Sequence, residues 1–327
     1  MKPIQFLICL CLTLISIPRP FAGDAPADRS AMLRILAYSP RTPEAAARWQ
    51  NEIRERLLAI LLLSDLWEQK SAIPLNPVTL SEEPAEGFTR WEIEIQSTPR
   101  RRIPAVVTMP REGTPPFPAV VCVHGHGGTR HSVYDTGSIY KGFAAELARR
   151  GTVTIAADVG RHDVREVGRT LMGERLWDLI RCVDHLAGMK EVDAKRIGCA
   201  GLSLGGEMAM WLGAMDPRVA ATVSAGFLTT MDQMEQNHCL CWKVAGLRAL
   251  VDYADIYSLI APRFLQCQNG LKEGPRDFYV PLAREALKEI QPIFADFGHP
   301  ERVTLDIHEG GHEIDLPALL KFFEENL

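Results

Sequence analysis

The sequence lacks the features of several common protein classes. Its 327 residues include 36 Lys and Arg against 41 Asp and Glu, so no basic excess points to nucleic acid or acidic lipid. It has no internal repeat or low-complexity linker, and neither the G-x-G-x-x-G nor the Walker pattern of phosphate-binding loops. The composition lies near the globular average, which excludes a disordered, collagen-like or coiled-coil chain. A small or neutral substrate is expected, with no nucleic-acid partner and no cofactor.

Long hydrophobic runs are also scarce, and the one that stands out lies at the amino terminus. Lys2 precedes an apolar stretch over residues 4–17, and small and turn-forming residues follow it. The stretch is shorter than a membrane span, which is typical of a secretory signal. We expect residues 1–23 to be a signal peptide, and the mature protein to be secreted or periplasmic without membrane association. An uncleaved anchor is the alternative.

Six cysteines lie beyond the predicted signal, and export would permit disulfides. Four fall in apolar stretches, where a thiol packs as a small core side chain: Cys122, Cys182, Cys199 and Cys267. The stretch His238–Cys239–Leu240–Cys241 could suggest a metal clip, but no second ligand pair stands at zinc-finger spacing. We therefore expect no metal, and interpret Cys239 and Cys241 as buried thiols or a local disulfide.

Short apolar runs alternate with amphipathic stretches along most of the chain. This pattern predicts an α/β fold with a mostly parallel central sheet and helices on both faces. A first helix begins near Thr42–Pro43–Glu44, and two strands at 88–97 and 102–109 are close enough to be an antiparallel pair leading the sheet. Further strands are predicted at 118–123, 153–157, 196–200, 219–224, 263–268 and 303–307, and helices at 175–187, 206–215 and 316–326. The expected organisation is a signal at 1–23, a helical segment at 24–87 packing on the core, and one domain at 88–327.

A serine between two glycines follows one of the predicted strands. The stretch Gly201–Gly205 reads G-x-S-x-G and stands between a strand and an amphipathic helix, where a sharp turn leaves no space for large neighbours. Ser203 is therefore the candidate nucleophile. The backbone N–H of Leu204 and the glycine-rich loop at 124–128 are candidates for stabilising an oxyanion. A structural serine and a plain glycine-rich turn are the alternatives.

A histidine on a Gly-Gly turn follows the last predicted strand. His312 can reach over the sheet to the serine, so it is the candidate general base. The residues offer three candidates for the acid: Asp277 is favoured because a helix start follows it shortly, Glu273 in the same loop is the alternative, and Asp232 is an outside candidate. The other histidines are interpreted as structural, surface or packing residues: His131, His162, His185, His238, His299 and His308.

Taken in order, the motifs HGHGG, GLSLGG, NGLKEGPRDFYVP and EGGHE resemble the α/β-hydrolase superfamily, and more narrowly its acetyl xylan esterase and dienelactone-hydrolase-like branch. The resemblance spans about residues 90–327. In that family the acid usually lies closer to the glycine that ends its strand, which keeps Glu273 open. The resemblance implies that Ser203 is the nucleophile, Asp277 the acid and His312 the base. It also implies that the backbone N–H groups of His126 and Leu204 stabilise the oxyanion.

The resemblance implies an exported serine carboxylic-ester hydrolase that acts through an acyl-enzyme on a small-molecule or polysaccharide ester. A serine peptidase of the prolyl-oligopeptidase type is one alternative, although the residues before the first strand are too few for a propeller. A non-catalytic glycan-binding relative is the other. Met231, Met234 and Trp242 would either cap the pocket or pack in the core, and an exposed Trp242 would suit a sugar ring.

Overall fold

The computed structural model describes residues 34–39 and 42–327. The predicted signal peptide, residues 1–23, lies outside the described residues. Among the described helices, none combines the length and the apolar character needed to cross a bilayer.

The strands of the described residues are β1 (Val78–Pro84), β2 (Phe88–Thr98), β3 (Arg101–Pro110), β4 (Phe117–Val123), β5 (Val153–Ala157), β6 (Val192–Leu202), β7 (Val219–Ala225), β8 (Phe264–Gly270) and β9 (Val303–His308). They form one sheet in the order β1-β2-β3-β5-β4-β6-β7-β8-β9. The strands β1, β2, β3 and β5 pair antiparallel in that order, and every pair from β5 onward is parallel. This is the predicted mostly parallel sheet with leading antiparallel strands.

The helices of the described residues are α1 (Pro43–Ile60), α2 (Ser64–Glu68), α3 (Phe143–Arg149), α4 (Leu171–Ala187), α5 (Leu204–Met215), α6 (Met231–Asn237), α7 (Leu247–Leu250), α8 (Tyr253–Ser258), α9 (Val280–Asp296) and α10 (Leu316–Asn326). They lie on both faces of the sheet. Val121 of β4 packs into the core that α4, α5 and α9 cover. Its neighbour Val120 packs into the core that α3 and α10 cover. Successive side chains of a strand point to opposite faces, so the apolar run of β4 serves both cores.

The helix α1, in the segment before β2, packs on the hydrophobic core. This helix begins with a proline, and the Oγ1 of Thr42 accepts the N–H of Ala45 at 3.3 Å, which is the cap that the sequence predicts. Trp49, Ile53 and Leu57 recur every fourth residue and are buried. The strand β1 was not predicted, because all seven of its residues are exposed at the edge of the sheet and no buried face imposes a pattern on them.

The carboxyl ends of the parallel strands β4 to β9 lie at one edge of the sheet. The loops that follow these strands therefore meet there, which is where ligands bind in open parallel sheets. The loops after β4, β6, β8 and β9 carry the residues that the sequence singles out.

Candidate active site

Ser203 occupies a sharp turn between β6 and α5. Its backbone has φ 64° and ψ −125°, a conformation that residues with a side chain rarely adopt. A Cβ on Gly201 would lie 2.3 Å from the carbonyl oxygen of Gly205, and a Cβ on Gly205 would lie 2.2 Å from that of Val123. Both positions therefore require glycine, as the G-x-S-x-G pattern predicts. The N–H of Ser203 donates to the carbonyl of Ala225 at 3.0 Å, which anchors the turn to the end of β7.

His312 is paired with a buried carboxylate. Its Nδ1 lies 2.9 Å from Oε2 of Glu273, whose side chain is 2% exposed against 34% for the histidine. The backbone N–H groups of Gly270 and Phe278 also donate to the Glu273 carboxylate, each at 3.3 Å. A carboxylate held in this way fixes the ring orientation and keeps the proton on Nδ1, so that Nε2 is the basic nitrogen.

The partner of His312 is thus the alternative acid, Glu273, and not the favoured Asp277. Asp277 is exposed, its N–H closes a turn to the carbonyl of Gly274 at 2.9 Å, and its own carbonyl accepts from Gln233 at 2.7 Å. The outside candidate Asp232 is exposed and forms an ion pair with Arg248. Among the described residues, neither aspartate forms a hydrogen bond or ion pair with His312.

The course of the loop after β8 explains why the nearer acid is selected. The N–H of Leu271 donates to the carbonyl of His308 at 2.9 Å, and that of Lys272 to the carbonyl of Gly310 at 3.0 Å. These bonds extend the parallel pairing of β8 with β9 into the turn that carries the histidine. The residue that follows, Glu273, therefore lies against that turn, while the next four residues lead away from it.

The dipeptide Ala225–Gly226 touches both proposed reactive residues. Its first carbonyl accepts from Ser203, and a Cβ on Gly226 would lie 2.7 Å from Cε1 of His312. Phe278 stacks on the same imidazole, with ring centroids 5.3 Å apart. Among the described residues, no hydrogen bond joins Ser203 Oγ to His312 Nε2, although both residues contact this dipeptide. Such bonds often tighten only when substrate is bound.

Two backbone donors remain open beside the serine. Within the described part of the chain, the N–H groups of His126 and Leu204 donate to no other group. The N–H of Gly125 is instead taken by the buried hydroxyl of Tyr140, at 2.7 Å. A Cβ on Gly125 would lie 3.0 Å from Cβ of Ser203, so this loop passes directly over the turn. The two N–H groups predicted as oxyanion donors therefore lie in the loop after β4 and at the first residue of α5, both of which border Ser203.

His124 holds the glycine-rich loop in place, a role that the sequence did not reveal. The ring is fully buried, its Nδ1 lies 2.8 Å from the carbonyl of Gly125, and its Nε2 accepts the N–H of Val159 at 3.1 Å. Burial lowers the pKa of His124, so the ring is neutral with the proton on Nδ1. Its place directly after the apolar run of β4 was the available signal. Tyr140 gave no comparable signal.

Cys239 and Cys241 lie in a cluster that the sequence did not predict. Both are free, and their sulfur atoms lie with one nitrogen each of His126 and His162 in a group whose atoms are all within 4.8 Å of one another. Cys239 is exposed and Cys241 half-buried, so the expectation of buried thiols is wrong for Cys239. The neighbouring His238 stays outside the cluster, and its ring stacks on another side chain.

Three large apolar side chains between β7 and α7 are buried in the core. Trp242 is 1% exposed, and its ring meets Tyr253 edge-on with centroids 5.7 Å apart. Met231 and Met234 are buried as well. The suggestion that Trp242 faces a sugar ring is therefore wrong, because Trp242 packs in the hydrophobic core with Met231, Met234 and Tyr253.

A further carboxyl group, that of Glu207, lies one helical turn after Ser203. Glu207 is on the first turn of α5, and burial raises its pKa to about 8. Its Oε1 has no hydrogen-bond partner among the described residues. This acid is therefore neutral at pH 7 and makes folding stability depend on pH.

The comparisons with known proteins agree with this architecture. Residues 103–239 match the family model described as "Dienelactone hydrolase family". YtaP of Bacillus subtilis (strain 168), which is named as a hydrolase, is 27% identical over 230 residues, or 62% of this chain and 75% of that protein.

Solved structures show the same fold at low identity. A structure described as an acetyl xylan esterase from Bacteroides fragilis NCTC 9343 has a TM-score of 0.69 at 19% identity, over 84% of this chain and 78% of that one. A CE15 glucuronoyl esterase from Teredinibacter turnerae T7901 has a TM-score of 0.67 at 16% identity, over 94% and 92%. The chain therefore has the α/β-hydrolase fold, and its residues 103–239 match the dienelactone hydrolase family model.

Proposed function

We propose that the protein is a serine carboxylesterase in which Ser203, His312 and Glu273 form the catalytic triad. The observation that carries the proposal is the 2.9 Å contact between His312 Nδ1 and a carboxylate that is itself buried, next to a serine in a strained strand-to-helix turn. A serine needs a base to become nucleophilic at neutral pH, and the base needs an orienting group. The three residues supply these roles in the order expected of α/β-hydrolases.

In the acylation step, Ser203 Oγ attacks the ester carbonyl while His312 Nε2 takes the hydroxyl proton. The carboxylate of Glu273 stabilises the imidazolium that forms. The open N–H groups of His126 and Leu204 donate hydrogen bonds to the carbonyl oxygen and stabilise the negative charge that develops on it. The alcohol then leaves with the proton from His312, and the acyl group remains on the serine.

In the deacylation step, His312 removes a proton from water as the water attacks the acyl-enzyme. The tetrahedral intermediate uses the same two N–H donors, and its collapse returns the proton to Ser203 and releases the acid. The chemistry uses side chains and backbone groups of this chain alone.

The substrate is a carboxylic ester of a small molecule or a polysaccharide. The fold neighbours named as acetyl xylan and glucuronoyl esterases support an ester of a plant-type glycan. The signal-like sequence at residues 1–23 supports action outside the cytoplasm, in the periplasm or the medium.

A fluorophosphonate probe tests the nucleophile. The wild-type protein is expected to label and Ser203→Ala to remain unlabelled, while the exposed edge-strand variant Ser81→Ala labels like wild type. Matched ester and amide substrates then separate an esterase from a peptidase. A folded wild-type protein that fails to label, or a Ser203→Ala protein that still labels, would overturn the proposal.

A further inference from the structure

Four metal-ligating side chains converge from three separate loops beside the site. His126 follows β4, His162 follows β5, and Cys239 and Cys241 lie between β7 and β8. One nitrogen or sulfur atom from each lies within 4.8 Å of all the others. Two nitrogen–sulfur contacts are closer: His126 Nε2 to Cys241 Sγ and His162 Nε2 to Cys239 Sγ, each at 3.2 Å.

These separations suit a tetrahedral metal ion. Typical Zn–N and Zn–S bonds place the ligand atoms of a tetrahedral site about 3.3–3.8 Å apart, so the cluster closes on an ion with shifts of about 1 Å or less. Two thiolates and two neutral imidazoles are a common ligand set of structural zinc. The two thiolate charges cancel that of the ion, so coordination releases two protons and leaves a neutral centre.

We propose that His126, His162, Cys239 and Cys241 bind one Zn²⁺ that fastens together three loops bordering the nucleophile. The role is structural, because four protein ligands complete the tetrahedron and leave no open position for substrate. The ion is not needed for the triad chemistry, so this proposal and the proposed esterase function stand or fall separately.

The surroundings of the cluster hold its ligands in place without the ion. Arg175 of α4 is fully buried and donates to Cys241 Sγ at 3.3 Å, so a positive charge faces the sulfur that must become a thiolate. The neighbouring Glu174 is also buried and accepts the N–H groups of Arg165 at 3.0 Å and of Glu166 at 2.7 Å. These bonds fix the loop that carries His162.

The rings of the two histidines are themselves arranged for a shared ligand. Those of His126 and His162 stack with centroids 5.2 Å apart and planes 12° apart, although the residues come from different loops. Both side chains and Cys239 are exposed, so an ion can enter from solvent. Since His126 also carries one of the proposed oxyanion donors, zinc at its side chain would hold that N–H in position.

The metal content of the purified full-length protein tests the proposal. Protein purified without chelators and supplied with Zn²⁺ is expected to keep about one equivalent after exhaustive dialysis. The double variant Cys239→Ser/Cys241→Ser is expected to keep none. The matched control His299→Asn changes a half-buried histidine that precedes β9 and lies outside the cluster, and it is expected to keep the metal. If the double variant does not fold, His162→Asn provides the test, because it changes a single exposed ligand and is expected to weaken zinc retention at least tenfold.

Cobalt substitution gives a second readout that is independent of activity. Co²⁺ in the wild-type site is expected to show thiolate charge-transfer bands and intense tetrahedral d–d bands, which the double variant lacks. Three results overturn the proposal. In the first, wild type retains no stoichiometric zinc while two thiols react with a thiol reagent. In the second, its measured mass is lower by two hydrogens because a Cys239–Cys241 disulfide excludes the metal. The third is a double variant that retains as much zinc as wild type. Fluorophosphonate labelling of the same preparations reports separately on the esterase.

Discussion

Replacing Glu273 by glutamine tests the acid that the structure selects. The amide keeps the size of the side chain, and with its N–H₂ group towards His312 its oxygen can still accept the N–H of Gly270, so the loop is expected to stay folded. It removes the negative charge that faces His312 at 2.9 Å. The imidazolium that forms during both steps then has no counter-charge, and the amide N–H₂ favours the wrong tautomer of the neutral ring.

The size of the effect follows from the distance and the burial. Two unit charges 2.9 Å apart attract by about 6 kcal/mol at an effective dielectric of 20. His312 is 34% exposed, so we take roughly half of this after solvent screening. A loss of about 3 kcal/mol of transition-state stabilisation corresponds to a decrease of kcat/KM by roughly 150-fold.

The assay compares three variants on p-nitrophenyl acetate, with circular dichroism and urea unfolding to confirm folding. Glu273→Gln is expected to show the full loss, and Glu273→Asp a smaller one because the carboxylate is retained but its reach is shorter. The exposed Asp277→Asn is the matched control and is expected to stay within about twofold of wild type. The reasoning is refuted if Asp277→Asn loses a hundredfold while Glu273→Gln keeps most of the activity.

Three further changes test the surroundings of the site. Glu207→Gln removes an acid whose pKa is about 8 in the fold against 4.5 when exposed. As pH rises through that range, the unfolded chain releases the proton before the folded one does, which costs wild type a few kcal/mol of stability, so the variant should gain stability relative to wild type at pH 9 compared with pH 5. An equal change at both pH values in urea unfolding would contradict this. Gly226→Ala places a Cβ 2.7 Å from His312 Cε1 at a φ of 55°, and should lower kcat/KM at least about tenfold; unchanged kinetics would show that the ring can move away freely. Tyr140→Phe leaves the N–H of Gly125 without its 2.7 Å partner, and should lower the free energy of unfolding by about 1–3 kcal/mol in the same measurement, whereas no change would mean that water replaces the hydroxyl.

Much of the fold could be predicted because burial leaves a pattern along the chain. The parallel strands are apolar on both faces and are bounded by polar turns, so β5 was predicted at its observed limits, Val153–Ala157, and α10 likewise at Leu316–Asn326. The strand β1 escaped prediction because its residues are all exposed, and pairing with β2 alone creates it. Where no side chain is buried, the sequence shows no alternation of polar and apolar residues from which a strand can be predicted.

The sequence alone located the turn that carries the proposed nucleophile. The steric demand of the turn at Ser203 acts on residues two positions away, so the requirement for Gly201 and Gly205 is visible in a five-residue stretch. The histidine after the last strand was indicated in the same way, because a Gly-Gly turn at the end of β9 is a local feature.

Only the tertiary structure decided which carboxylate meets His312 and what surrounds the cysteines. Glu273 and Asp277 lie four residues apart in one loop, and the choice depends on the pairing of that loop with the turn after β9, which is a contact between distant parts of the chain. Likewise, Cys239 and Cys241 find their histidines on loops more than seventy residues away. A sequence displays the spacing of neighbours along the chain, whereas a proton relay or a ligand set depends on distances that exist only after the sheet has assembled.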